Sequence, residues 1–271
     1  MFRFQILKAA ATGVAAILAL SACGAGSSSS GSAGATETIK VGALAVPAGD
    51  MLKHVQRELA PKEGLTVEYK EFSDYNTPNP AVSDGDIDAN LFQNTTFMET
   101  YNKASGKNLV SVGKVYLPPM ALYSNNVASL EELPDGASIA IPNDPTNESR
   151  ALKLLASKGL IEVSDNPITL KDVTANPKNF QFTEIENASL PQALNDKDAA
   201  IVTLAFALPA GLSADKQLLV EGQDSAYYNV LAVKAEMKDD PRVQKLYKIL
   251  TSQDMKDFLQ TKFKGLVIPA S

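Results

Sequence analysis

The segment Pro142–Arg150 contains residue types that can bind an anion. Asp144 is placed to cap a helix whose first residue is Pro145. Arg150 would then lie near the positive end of that helix, where free backbone N–H groups and a guanidinium can hold a carboxylate. The alternative is a structural ion pair, in which Glu148 or an acid distant in the sequence neutralises Arg150. The residues alone leave both interpretations open.

A second candidate region combines aromatic side chains with carboxamides. Tyr75 and Phe92 adjoin polar loop segments at the ends of predicted strands, where an α/β fold opens into a cleft. An apolar wall with a few fixed polar groups is typical of a small-molecule site. The usual alternative for clustered aromatics is the core, to which we assign Tyr101. The other members of the region are Phe97, Tyr116, Asn90, Gln93 and Asn94.

The sequence offers little for covalent catalysis. His54 is the one histidine, and it lies at the edge of an apolar helical stripe rather than beside a nucleophile. Asp84, Asp86 and Asp88 alternate as calcium ligands could, but no glutamate closes a 12-residue loop. We therefore predict no catalytic residue, no metal site and no cofactor.

The one cysteine, Cys23, follows a secretory leader. Arg3 and Lys8 precede an uncharged apolar stretch of about a dozen residues, which is too short to span a bilayer. Small residues directly before Cys23 complete the lipobox pattern of bacterial lipoproteins, in which the thiol is acylated and the chain is cut before it. The alternative is a secreted protein with a chance cysteine. We predict a signal peptide over residues 1–22.

The residues after Cys23 predict a flexible tether and then a globular body. Residues 23–37 are rich in serine and glycine and lack large apolar side chains. The body that follows is long enough for two domains. Its net charge is acidic, −6 for the whole chain, and its basic residues are interleaved with acids, which disfavours nucleic acid as a partner.

Short apolar runs alternate with amphipathic stretches along the body. Asp50 is the predicted N-cap of the first helix, and Pro241 begins a helical tail that reaches about Phe263. This alternation predicts α/β layers with mainly parallel sheets, whose ligands bind beyond the carboxyl ends of the strands. The predicted strands span residues 39–45, 65–72, 109–116, 137–142, 180–185, 199–203 and 227–234, and a helix spans 145–158.

Four blocks of the body form a recognisable pattern. They are Phe72-x-Asp74-Tyr75-x-x-Pro78-Asn79, Gly85-Asp86-Ile87-Asp88-Ala89-Asn90-x-Phe92-Gln93, Ile141-Pro142-Asn143-Asp144-Pro145-Thr146-Asn147 and Asn176-Pro177-Lys178-Asn179. In this order the chain resembles the NlpA-type lipoproteins, the methionine-binding proteins of ABC importers. The resemblance implies a two-lobe periplasmic-binding-protein-like α/β fold, with a hinge and a ligand cleft between the lobes. Lobe one would comprise residues 38–120 plus 228–271, and lobe two residues 121–227.

The resemblance also implies which residues contact the ligand. The family's aromatic wall falls on Tyr75, Phe92 and Tyr116, and its carboxylate-binding arginine falls on Arg150. The polar residues implied beside them are Asn147 and Asn229.

Three positions depart from the family pattern. Asn94 stands where the family usually has histidine, Phe97 where it has tyrosine, and Thr203 where it has asparagine. The residues implied to recognise an amino-acid backbone are kept, while part of the polar surround differs. The departures thus weaken the assignment to methionine more than the assignment to an amino acid.

Together these features predict a lipid-anchored solute-binding protein on the extracytoplasmic face of the cell membrane. It would capture methionine or a related amino acid, deliver it to an ABC permease and contact the bilayer through acylated Cys23. The alternatives are a binding protein for another small zwitterion, a small-molecule enzyme on a similar two-lobe fold, and a surface adhesin or interaction lipoprotein.

Overall fold

The computed structural model describes residues 37–271. The predicted signal peptide, Cys23 and the predicted tether up to residue 36 lie outside the described residues. Strand β1 begins at Glu37, which we had assigned to the end of the tether. Among the described residues, none of the helices has the length and apolar character that a membrane span requires.

Two sheets form the framework. The first has six strands in the order β13-β4-β12-β3-β1-β2, and the second has five in the order β11-β5-β10-β6-β9. A separate pair, β7 and β8, is antiparallel. The strands are β1 (Glu37–Leu44), β2 (Leu65–Phe72), β3 (Ala89–Asn90), β4 (Leu109–Leu117), β5 (Met120–Tyr123), β6 (Ser138–Pro142), β7 (Glu162–Val163), β8 (Val173–Ala175), β9 (Gln181–Ile185), β10 (Ala199–Thr203), β11 (Gln217–Val220), β12 (Asn229–Lys234) and β13 (Ile268–Pro269).

Helices cover the sheets. They are α1 (Asp50–His54), α2 (Pro78–Asp84), α3 (Thr95–Ser105), α4 (Pro145–Ala156), α5 (Leu190–Ala193), α6 (Leu204–Ala207), α7 (Pro241–Leu250) and α8 (Gln253–Phe263). The predicted helical tail is thus two helices, because the Ser252 side chain accepts a hydrogen bond from the Met255 N–H and begins a new one.

The first helical segment corrects one prediction. Asp50 is not an N-cap but the first residue of α1, and the helical segment continues through wider and tighter turns to Glu63. The Asp50 carboxylate does not cap the helix but lies 3.1 Å from the Lys262 ammonium. His54 stacks on Phe258 with ring centroids 4.2 Å apart, so it packs between helices.

The prediction of mainly parallel sheets is wrong. Strand β1 pairs in parallel with β2 and β3, but β12 runs antiparallel to both β3 and β4. In the second sheet, β5 runs antiparallel to β10 and β11. The antiparallel strands are those by which the chain enters a sheet from the other one. The chain passes from β4 through Pro118 and Pro119 into β5 of the second sheet, and it returns to the first sheet through β12. Both β5 and β12 run opposite to their neighbours.

Each sheet has its own apolar core. The first is built around β1, β4 and β12 with the helices α7 and α8, and the second packs α4 against β6 and β10. A small third cluster, Leu44, Tyr75, Phe92 and Ala205, joins residues of the two halves. The exact lobe boundaries given above stay a prediction, although residue 120 pairs within the second sheet.

Candidate ligand site

A narrow cavity lies between the two sheets. The space not filled by atoms is about 250 Å³, part of which is open to solvent. Seven of the nine residues predicted to bind a ligand line it: Tyr75, Phe92, Asn94, Phe97, Asn147, Arg150 and Asn229. Gln93 and Pro118 complete the lining, whereas Tyr116 and Thr203 lie behind it.

Three aromatic rings form one wall of the cavity. The Tyr75 ring centroid lies 5.7 Å from that of Phe92 and 5.8 Å from that of Phe97, in tilted and edge-on geometry. Phe206 from the second half packs edge-on at 4.9 Å from Tyr75. Such contacts favour rigid ring positions, so the wall presents a preformed apolar surface.

Thr203 contacts the wall rather than the cavity. Its hydroxyl lies 3.0 Å from the Tyr75 hydroxyl, which joins strand β10 of the second sheet to the loop after β2 of the first. Burial raises the pKa of Tyr75 to about 12. The phenol is therefore neutral, and Thr203 orients it.

Tyr116 does not line the cavity but orients Asn229, which does. Its hydroxyl accepts a hydrogen bond from the Asn229 Nδ2 at 3.0 Å, and burial raises the pKa of this phenol well above its usual range. The bond leaves Asn229 Oδ1 without a partner among residues 37–271. Since Asn229 lines the cavity, this oxygen is a hydrogen-bond acceptor available to a ligand.

Asn94 combines a structural bond with a free donor. Its Oδ1 accepts the Phe97 N–H at 3.0 Å and so caps helix α3. Its Nδ2 has no hydrogen-bond partner among the described residues, although the side chain is buried. The cap fixes the orientation of the amide and leaves the donor for the cavity.

The N-terminus of α4 positions the opposite wall, as predicted. The Asp144 side chain accepts the Asn147 N–H at 2.9 Å, and Pro145 is the first helical residue. The same carboxylate accepts Asn147 Nδ2 at 3.0 Å and Asn187 Nδ2 at 2.7 Å. Asn147 Oδ1 is then a second acceptor without a partner within the described part of the chain.

Glu148 does not neutralise Arg150. Its Oε1 accepts the Leu170 N–H at 2.7 Å, on the side of the helix away from the cavity. Burial, with the nearby carboxyl of Glu184 and the charge of Asp144, raises the pKa of Glu148 to about 7.

The partner of Arg150 is Glu221, an acid distant in the sequence. Arg150 Nε donates to Glu221 Oε1 at 2.9 Å, and Nη2 donates to Oε2 in a bidentate pair. Nη2 also donates to the Pro118 carbonyl at 3.0 Å. The structural ion pair left open by the sequence is therefore present.

The ion pair does not use all of Arg150. Its Nη1 has no partner among residues 37–271, and the side chain is only 3% exposed. The Tyr227 ring lies over the guanidinium at 4.8 Å. Glu221, Pro118 and Tyr227 thus fix one edge and one face, and one pair of N–H donors remains.

The nearby amides Asn79, Asn90 and Gln93, which we call the amide triad, differ from these residues. Asn79 Oδ1 accepts from Asn90 Nδ2 at 2.9 Å and from Gln93 Nε2, while Asn79 Nδ2 donates to Gln93 Oε1 at 2.7 Å. Its members satisfy one another. Gln93 also lines the cavity, but its carboxamide is already bonded within the triad, so the triad braces the loop around β3.

The cavity thus offers two kinds of free polar group beside an apolar wall. Arg150 Nη1 and Asn94 Nδ2 are donors, and Asn147 Oδ1 and Asn229 Oδ1 are acceptors, each without a partner among the described residues. These side chains are at most 4% exposed.

The comparisons with known proteins agree with this architecture. The family model of the NlpA lipoprotein matches residues 39–271. The chain belongs to the NlpA lipoprotein family. The family covers both sheets and every residue of the cavity.

Known proteins are similar to this chain over most of their length. Outer membrane lipoprotein 1 of Mannheimia haemolytica is 38% identical over 93% of this chain and 94% of its own. The D-methionine-binding lipoprotein MetQ of Salmonella typhi is 38% identical over 84% of this chain and 86% of its own. A nutrient-binding protein from Burkholderia cenocepacia, solved bound to methionine, superposes with a TM-score of 0.83 at 40% identity, covering 86% of this chain and 100% of that one.

Four residues that contact predicted site residues or the Asp144 cap were not predicted from the sequence. Glu221, Tyr227 and Phe206 contact predicted site residues, and Asn187 contacts Asp144. The acidic loop around Glu221 was the one available signal, because a cation predicted at a helix N-terminus requires a counter-charge. The pairing of β5 with β11 decides which acid supplies the counter-charge to Arg150.

Proposed function

We propose that this protein is the solute-binding component of an ABC importer and captures methionine. The observation that carries the proposal is the match between the cavity and a zwitterion with an apolar side chain. The free donors of Arg150 and Asn94 suit a carboxylate, and the free acceptors of Asn147 and Asn229 suit an ammonium group. The aromatic wall suits a thioether chain, since sulfur packs well against rings.

Closure of the two halves would give this cavity its affinity. In an enclosed site with little water, charge-assisted hydrogen bonds are stronger than at an exposed surface. The Tyr75–Thr203 contact between the halves is made in this closed arrangement. A ligand that binds both halves stabilises closure by its preference for that state.

Calorimetry with the purified body tests the proposal. L-methionine, D-methionine and the other amino acids are titrated separately, and mass spectrometry identifies any ligand carried through purification. We expect methionine to bind most tightly in one of its two stereochemical forms. Tighter binding of glutamine or another zwitterion would reassign the ligand, and conversion of any amino acid to product would indicate an enzyme.

We also infer that Cys23 is acylated and holds the protein on the extracytoplasmic face of the cell membrane, beside its permease. The lipobox after the leader supports this inference, as does membership of a lipoprotein family. Cys23→Ser should release the protein from the membrane fraction and leave methionine binding unchanged. Retention of the variant in membranes without acyl chains would contradict the anchor.

A further inference from the structure

Among the residues that line the cavity, Arg150 alone is charged. Its positive charge therefore decides the electrostatic balance at the ligand unless another group cancels it. Glu221 does not line the cavity, but its bidentate pair with Arg150 does cancel it. The Glu221 side chain is 12% exposed, so the pair is largely removed from water.

The position of Glu221 is built into the second sheet. It follows directly after β11, and its N–H donates to the Met120 carbonyl at 2.9 Å. Met120 N–H in turn donates to Glu221 Oε2 at 3.2 Å. Two strands therefore hold the carboxylate against the guanidinium, which is the precision that a recognition site needs.

Other charges near the pair are less well placed. Lys153, Lys158 and Asp224 line an outer groove that the ion pair also borders, and this groove is open to solvent, which screens their charges. Asp144 lies behind Asn147, where the N-terminus of α4 and two amides stabilise its charge. The close partner of Arg150 in the described chain is Glu221.

We propose that Glu221 determines specificity by cancelling the charge of Arg150, so that the cavity selects a net-neutral zwitterion over an anion. This inference rests on the proposed function. With the pair intact, a bound zwitterion leaves the enclosed site neutral, whereas an anion leaves one uncompensated negative charge. Without the Glu221 charge the order reverses, because an anion would neutralise Arg150 and a zwitterion would leave it unbalanced.

The test compares two ligands of matched shape. L-methionine and 4-(methylthio)butanoate share the carboxylate and the thioether chain, but the second lacks the ammonium group. The ratio of their dissociation constants is measured by calorimetry for the wild-type body, Glu221→Gln and Glu221→Asp. Asp215→Asn, an exposed neutralisation just before β11, is the matched control.

We expect the wild type to prefer methionine by at least about tenfold, and Glu221→Gln to reduce that ratio by about tenfold or more. Asp215→Asn should leave the ratio unchanged. Glu221→Asp keeps the charge and should stay within about threefold of the wild type. A general loss of fold would weaken both ligands alike and leave the ratio intact.

Three results would overturn the inference. They are an unchanged ratio in Glu221→Gln, an equal fall in Glu221→Asp, and a wild type that binds both ligands alike. If thermal unfolding shows that Glu221→Gln does not fold, a fall of about tenfold in Glu221→Asp, or a wild type that binds both ligands alike, overturns the inference. A wild type that binds no methionine would instead refute the proposed function.

Discussion

Two groups of buried polar side chains meet at the cavity and behave differently. The amide triad of Asn79, Asn90 and Gln93 uses its hydrogen-bonding groups internally. The cavity set, which we define as Asn94, Asn147, Arg150 and Asn229, is equally buried but retains one free donor or acceptor per residue among the described contacts. Burial alone therefore does not distinguish the two groups, whereas unused hydrogen-bonding capacity at the cavity does.

The difference has an energetic consequence. A closed network contributes to folding, because removing one member leaves its partners buried and unsatisfied. A residue with a free group contributes to folding through the bonds it makes, and to binding through the bond it has left. Substitutions in the two groups should therefore separate stability from affinity.

Arg150→Ala should have the largest effect, and it should lower both the affinity for methionine and the stability of the fold. Losing the carboxylate donor should weaken methionine binding by about 30-fold to several thousand-fold, or roughly 2 to 5 kcal/mol. The structure changes one expectation from the sequence, that the ligand-free fold would be untouched. Glu221, which is partly buried, would lose its counter-charge, and this should lower stability by up to about 3 kcal/mol.

Calorimetry and thermal unfolding measure these two effects of Arg150→Ala. Lys153→Ala, one position on the exposed face of the same helix, is the control and should alter neither. Affinity equal to that of the wild type would remove Arg150 from the cavity set.

Glu148→Gln should alter stability with pH and leave affinity alone. The pKa of Glu148 in the folded protein, about 7, lies above the usual glutamate value of 4.5, so the folded state holds a proton that the unfolded state releases. Its contribution is fully present below pH 4.5 and is lost as the pH rises through 7. The loss amounts to at most about 3 kcal/mol.

Urea unfolding at several pH values checks the Glu148 prediction. The stability of Glu148→Gln relative to the wild type should rise between pH 4.5 and 8, with methionine affinity at pH 8 within about threefold of the wild type. Glu162→Gln, an exposed neutralisation on β7, should follow the wild type. If the stability of Glu148→Gln and that of the wild type changed with pH in the same way, Glu148 would have an ordinary pKa, which would contradict the prediction.

Asn79→Ala should break the amide triad without removing any group of the cavity set. Gln93 and Asn90 would lose their shared partner, at a cost of about 1 to 3 kcal/mol in unfolding free energy. Methionine affinity of the folded protein should stay within about threefold. Unfolding and calorimetry at a temperature where the variant is folded give both numbers, with the exposed Asn76→Ala as control. A large loss of affinity at equal stability would make the triad a binding element.

Asn94→Asp should show the smallest and most selective effect. Aspartate caps α3 as well as asparagine does, so the melting temperature should not fall. The free Nδ2 donor is replaced by an oxygen that repels a carboxylate, and affinity should decrease roughly tenfold. Asn94→Ala, which also loses the cap, should lower both affinity and stability. Undiminished affinity in Asn94→Asp would show that Nδ2 does not face the ligand.

Local structure was the part best predicted from the sequence. The strands at residues 65–72 and 199–203 were predicted to the residue, and the Asp144 cap before Pro145 was confirmed. These features depend on alternating apolar residues and on capping chemistry within a few positions. The residues singled out for the cavity were also brought together, except that Tyr116 and Thr203 lie behind it.

The partners that decide the chemistry could not be predicted. Arg150 and Glu221 are 71 positions apart and meet because the short strands β5 and β11 pair. In the sequence Asn90 and Gln93 looked like amides of a ligand pocket. In the structure helix α2 places Asn79 against them, and their hydrogen-bonding groups are used there. Which amide retains a free group depends on such long-range contacts, and no local pattern encodes them.

The side-chain amide resonances of uniformly ¹⁵N-labelled protein, followed during titration with methionine, test the central claim most directly. We expect the NH₂ signals of Asn94, Asn147 and Asn229 to shift strongly and those of Asn79 and Asn90 to stay in place. Shifts of the triad signals without shifts in the cavity set would contradict the claim.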